Sequence, residues 1–102
     1  MSDQVKPALD VIRAQIRELD AILEQGRKTL NTVAAGERLA RWKRQAVALL
    51  AQHLGPREAG RLESTTPGPS FTNDLLEELT DDVELYRNVM VSLEKELKQR
   101  QV

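Results

Sequence analysis

The sequence predicts an all-α protein: an antiparallel helical bundle of three main helices, two long and one shorter, plus a short corner helix. Three observations carry that reading. Apolar residues recur in steps of three and four along two long segments, the spacing of a single helical stripe. Leu, Ala, Glu, Arg and Gln dominate while aromatics make up 3%, so the side chains that favour sheets are scarce. Gly36, Gly55–Pro56 and Pro67–Pro69 punctuate the chain between its periodic segments. A length of 102 residues fits one domain, 1–102, with a modest core. The expected helices are about 4–33, 37–54, 56–63 and 72–100.

The first helix rests on Val5, Leu9, Ile12, Ile16, Leu19, Leu23, Gly26, Leu30 and Val33, which lie on one stripe. Pro7 is tolerable only in the first turn, so the helix begins near Asp3 to Lys6. "AAG" (Ala34 to Gly36) is its expected stop. At about 28 residues it would be ~42 Å long.

The middle helix places Leu39, Trp42, Ala46, Leu49 and His53 on one face, widened by Leu50 and Leu54. Gly55 ends it, because glycine accepts the left-handed geometry at a helix C-terminus without steric cost. "PREAGRLES" offers two further turns. At ~27 Å the middle helix is too short to cover its long neighbour, so the corner at 55–64, through Leu62, and Phe71 are expected to close the remaining end. "STTPGPS" is a loop, since its two prolines and glycine exclude regular structure.

The last helix repeats the long stripe through Leu76, Leu79, Val83, Tyr86, Met90, Leu93 and Leu97. Acids crowd its start and Lys95, Lys98 and Arg100 sit near its end, both suited to the helix dipole. Asn73, Thr72 or Ser70 is the expected cap. Val11, Ile22, Leu75, Val89 and Val91 fall off the main stripes. They either form an exposed apolar surface or widen the core stripe.

Composition narrows the function. With no cysteine there is no disulfide and no thiolate zinc site. "MSDQVKPALD" lacks the basic and apolar regions of a signal peptide, and no apolar run is long enough to span a bilayer. A cytoplasmic protein without membrane contact is expected. A net charge of −1 argues against a dedicated nucleic-acid binder. Residues 37–64 carry three acids and six bases, and residues 65–102 carry eight acids and four bases. These opposite segments either complement one another inside the fold or meet a charged partner.

Three groups of residues are candidates for chemistry or binding. His53 is the one general acid–base candidate, but no nucleophile or carboxylate stands at a suitable spacing. A histidine packed at the bundle edge is the expected reading, with Trp42 a core anchor beside it. Gly26, the one break in the first stripe, is expected to lie opposite the Trp42 ring. Arg38, Arg41 and Arg44 share the outward side of the middle helix near its start. They are either paired with Glu94 and Glu96 or held for an anion or a partner's carboxylate. Glu77, Glu78, Asp81 and Asp82 resemble half of a magnesium site in all-helical nucleotide pyrophosphohydrolases. The first helix supplies no matching pair of acids, and Glu-x-x-His is absent. No catalytic residue, cofactor or metal is expected, and an enzyme is not.

Residues 37–97 also carry a family resemblance. The basic "RLARWKRQ" opens a helix, followed by apolar "AVALLAQHLG", then "PREAGRLES", "PGPSF" and an acidic amphipathic helix ending "YRNVMVSLEKEL". This resembles the helical N-terminal region that precedes TIR-like and other effector domains in bacterial defence proteins. Trp42, Gly55, Phe71 and Tyr86 are the individual residues it rests on. The resemblance implies a sensing or oligomerising adaptor with no chemistry of its own. Such a chain is either a stand-alone relative or one domain of a longer protein. The expected function is a non-enzymatic protein–protein interaction or oligomerisation module, with a homodimer as one form. The alternatives are a small regulatory or nucleic-acid-associated protein using the Arg38, Arg41 and Arg44 face, and a magnesium-dependent nucleotide hydrolase.

Overall fold

A computed structural model describes residues 2–69 and 72–100 of the chain. Four helices account for nearly all of them: α1 (Ser2–Thr29), α2 (Thr32–His53), α3 (Pro56–Glu63) and α4 (Leu75–Arg100). Three main helices and a short corner helix form the expected all-α bundle. Phe71, expected to point inward, lies outside the described residues.

The first helix ends before the "AAG" stop. Side-chain chemistry at Thr29 to Thr32 ends it. The Thr29 hydroxyl donates to the Gln25 carbonyl at 2.8 Å and accepts from the Asn31 N–H at 3.2 Å. Asn31 then caps α2 by accepting from the Ala34 N–H at 3.1 Å. Leu30, between them, takes φ 57°, left-handed backbone that closes the helix. The helices expected at 4–33 and 37–54 are therefore divided at Leu30–Asn31, and Gly36 sits exposed inside α2.

Moving the turn from Ala35 to Leu30 shifts every α1–α2 pairing. Trp42 does not face Gly26. Its indole N–H donates to the Gln15 carbonyl at 3.1 Å. Gly26 faces α4 and the start of α2 instead. A Cβ there would lie 2.7 Å from Leu79 Cδ2 and 3.4 Å from the Ala35 Cβ. Alanine gains helix propensity of about 0.5–1 kcal/mol at such a site, offset by displacing one Leu79 methyl. A leucine must displace both neighbours. Gly26→Leu is expected to cost about 1–3 kcal/mol in a denaturant melt, with Gly26→Ala near neutral. Equal effects from the two would refute the close packing.

α4 runs antiparallel to α1. Arg13 meets Glu94 at 2.8 Å, Asp20 meets Arg87 at 3.1 Å, and Gly26 faces Leu79. α2 and α4 therefore run parallel, with their N-termini at the same end. α4 is capped by Asp74, not by Asn73 or Thr72; Ser70 lies outside the described residues. The Asp74 carboxylate accepts from the Leu76 and Glu77 N–H groups at 2.9 and 3.2 Å.

The core is one cluster shared by all four helices, with Ile12, Leu19, Ile22, Leu50, Leu62 and Met90 fully buried. In α2 the buried line is Ala35, Leu39, Trp42, Ala46 and Leu50. Leu49 is only half-buried, and His53 is exposed rather than packed at the edge. A spacing of 3.5 drifts about 20° per heptad on a straight helix, so the stripe passes to Leu50 before His53 is reached. Ile22 widens the core stripe, Val11, Val89 and Val91 are half-buried, and Leu75 is exposed. α3 spans the expected residues and packs on both α2 and α4 at the α2 C-terminus, burying Ala59 and Leu62.

Candidate interaction face

The bundle is not closed equally at its two ends. α1 packs along both α2 and α4, but α2 and α4 touch each other sparingly. At one end α3 fills the space between them. At the other, where both helices begin, a cleft of about 540 Å³ remains. Val33, Gly36, Leu39 and Ala40 of α2 line it, with Leu75, Leu79 and Tyr86 of α4. The exposed large apolar residues among those described are Leu30, Val33 and Leu75, at 72%, 67% and 57% exposure. All three stand at this end: two line the cleft, and Leu30 lies three residues before Val33.

Leu30 has no local reason to be leucine. Its side chain is exposed, so packing does not favour it. Left-handed backbone costs a non-glycine residue about 1–2 kcal/mol, and asparagine tolerates it better. Leu30→Asn is therefore expected to raise stability by about 1 kcal/mol in a thermal or urea melt. A loss on substitution would show that the leucine does pack.

The cleft's rim is acidic. Glu37 of α2 and Glu78 and Asp82 of α4 line it, with no lysine or arginine among the lining residues. Glu77 and Asp81 line a neighbouring hollow of about 380 Å³ with Asp82, Pro67 and Pro69. Burial pushes the Asp82 carboxyl above its usual range, and Glu78 and Asp81 add to the effect. Tyr86 is raised too, by burial and then by Asp82. A carboxyl raised in the folded state contributes stability at low pH and loses it as pH rises through the raised pKa. Ionised Asp82 is thus a penalty at neutral pH. Among the described residues, no group of three or more His, Asp or Glu side chains is placed to hold a metal ion.

Two side chains of α2 hold the tyrosine of the cleft wall. Its ring stacks on Trp42, with centroids 5.9 Å apart and planes at 27°. The Lys43 ammonium sits 5.0 Å from the Tyr86 centroid and donates to the Thr65 carbonyl at 2.7 Å.

The three arginines do not act as one patch. Arg38 is turned to α1, where it donates to Glu18 at 2.6 Å and to the Gln25 side chain. Arg41 and Arg44 are exposed, with no ion pair to any described residue. The acids expected to meet them are engaged elsewhere: Glu94 with Arg13 and Glu96 with Arg61, each within 2.8 Å. The earlier turn explains this. It brings the start of α2 beside Glu18 and Gln25 of α1, while the end of α4 lies alongside Arg13 and α3. The cleft itself escaped sequence reasoning, although off-stripe Leu75 was one visible sign of it.

No family model matches the chain, and neither a curated protein nor a solved structure matches it. No described helix is long and apolar enough to cross a membrane.

Proposed function

We propose that this chain is a non-enzymatic protein–protein interaction module whose binding face is the open α2–α4 end. One observation carries the reading: Leu30, Val33 and Leu75 are exposed together beside an apolar cleft. Apolar surface costs about 25 cal/mol per Å² to leave in water, and contiguous patches on folded chains mark interaction sites. The resemblance of residues 37–97 to helical regions before effector domains points to the same role, that of an adaptor. Arg38's engagement with α1 leaves Arg41 and Arg44 as the middle-helix arginines without an ion pair to any described residue, which weakens the nucleic-acid alternative.

Site-specific photocrosslinking in the native host tests the face. A crosslinking residue replaces Leu75 in one variant and exposed Ala51, on the far end of α2, in another. Adducts are expected from position 75 and not from 51. Adducts from 51 alone would place the working surface elsewhere.

A further inference from the structure

We propose that the α2–α4 cleft seats an amphipathic helix whose apolar ridge is flanked by lysine or arginine. The inference rests on the interaction reading above and adds the chemistry of the partner.

The dimensions suit a helix. The α4 wall runs from Leu75 to Tyr86, about 16 Å or three helical turns. A helix laid there would continue the layer that α3 supplies at the opposite end, between the same two helices. Its apolar side chains would cover exposed Val33 and Leu75, above a floor formed by buried Leu39 and Leu79, as amphipathic helices do in apolar grooves.

Charge selects which helix. The N-termini of α2 and α4 both lie at the cleft, and each carries about half a positive charge. Against these stand three whole negative charges, on Glu37, Glu78 and Asp82. The Lys43 ammonium, beside the Tyr86 ring at the inner end of the cleft, offsets one of them, and the lining stays net acidic. Glu78, in the first turn of α4, suits that helix's own dipole. Asp82 lies in the second turn, where the dipole has faded, and its ionised form is disfavoured in the isolated chain. A cation from outside would relieve that penalty. A second copy docking by the same face would not, because a two-fold interface sets the patch against itself, acids to acids.

The test uses designed helical peptides of about 18 residues with one leucine–alanine ridge and flanks of lysine, glutamine or glutamate. Binding of labelled peptide to the full chain is read by fluorescence anisotropy. The lysine-flanked peptide is expected to bind at least roughly tenfold more tightly than the glutamate-flanked one at low salt, a gap that narrows as salt rises. Asp82→Asn should lower the affinity for the lysine peptide while raising the melting temperature at pH 7. Leu75→Ser should weaken binding of every peptide. Equal binding of all three peptides, lost in Leu75→Ser, would leave the interaction face standing and overturn the basic partner. No binding by the lysine peptide, with adducts still formed at position 75, would overturn the basic helix as well. Peptide binding unaffected by Leu75→Ser would overturn the face itself.

Discussion

Replacing Trp42 with alanine is expected to destabilise the protein by about 3–5 kcal/mol, the cost of emptying a large buried aromatic site. The side chain is 2% exposed. It joins three elements: it leaves α2, donates to the Gln15 carbonyl of α1, and stacks on Tyr86 of α4. α2 and α4 meet sparingly, so this stack, with Lys43 on the same Tyr86 ring, is one of few links between them. Whole-domain stability is of order 5–15 kcal/mol, so the loss is a large fraction of the total. Far-UV circular dichroism in urea reads it, since the chain's own tryptophan fluorescence goes with the residue. Trp42→Phe separates the contributions. It keeps most of the ring surface and loses the hydrogen bond, worth about 0.5–1.5 kcal/mol. A loss below about 1 kcal/mol for alanine would mean that α2 and α4 close over the gap. In that event the cleft would narrow with it, because Tyr86 forms part of its wall.

How much of this was legible in the chain differs from element to element. The α4 stripe is buried at Leu79, Val83, Tyr86, Met90, Leu93 and Leu97, as its spacing required. α3 occupies 56–63 because Gly55 and Pro56 mark its start unambiguously. Gly55 adopts φ 140° and ψ 175°, a region essentially closed to other residues. The expected left-handed helical geometry is not what it adopts: Leu54 is the C-cap of α2, and Gly55, at this other positive-φ conformation, is the N-cap of α3.

The α1–α2 turn was misplaced because period and chemistry disagreed there. Leu30 and Val33 continue the α1 stripe numerically, but the helix has already ended. The opposing signal was present in Asn31, a strong N-cap followed by Thr32 and Val33. A stripe alone does not show that its last members are buried; Leu30 and Val33 are the two most exposed large apolar residues described. The candidate face was hidden for the same reason. It depends on which residues α2 and α4 bring opposite each other, and that follows from the turn. Arg38 shows the consequence directly: with α2 starting five residues earlier than expected, at Thr32 rather than 37, a cation expected to face solvent is bound to Glu18.

Leu62→Ala is the second large expected effect, a loss of about 2–5 kcal/mol. A helix of eight residues does not persist in water by propensity, so α3 exists because it is docked. Two kinds of contact dock it. Leu62 and Ala59 are buried between α2 and α4. Around them Arg61 meets Glu96 at 2.7 Å and Arg100 meets Glu58 at 3.7 Å. The Arg61 hydrogen bond, against a smaller opposing effect of desolvation, holds the Glu96 carboxyl below its usual range. What that bond adds is therefore present at neutral pH and lost as pH falls through the lowered value. Solvent screens exposed pairs of this kind, so Arg61→Ala should cost far less than Leu62→Ala. Hydrogen exchange locates the loss: in Leu62→Ala the amides of α3 should lose protection before those of α1 and α4. Should the two substitutions cost the same, α3 would be held by surface charge, and its end of the bundle would be as open as the cleft at the other. The opposite outcome makes α3 the internal counterpart of the proposed partner: one short helix wedged between α2 and α4, anchored by an apolar residue and flanked by an arginine on an acid of α4.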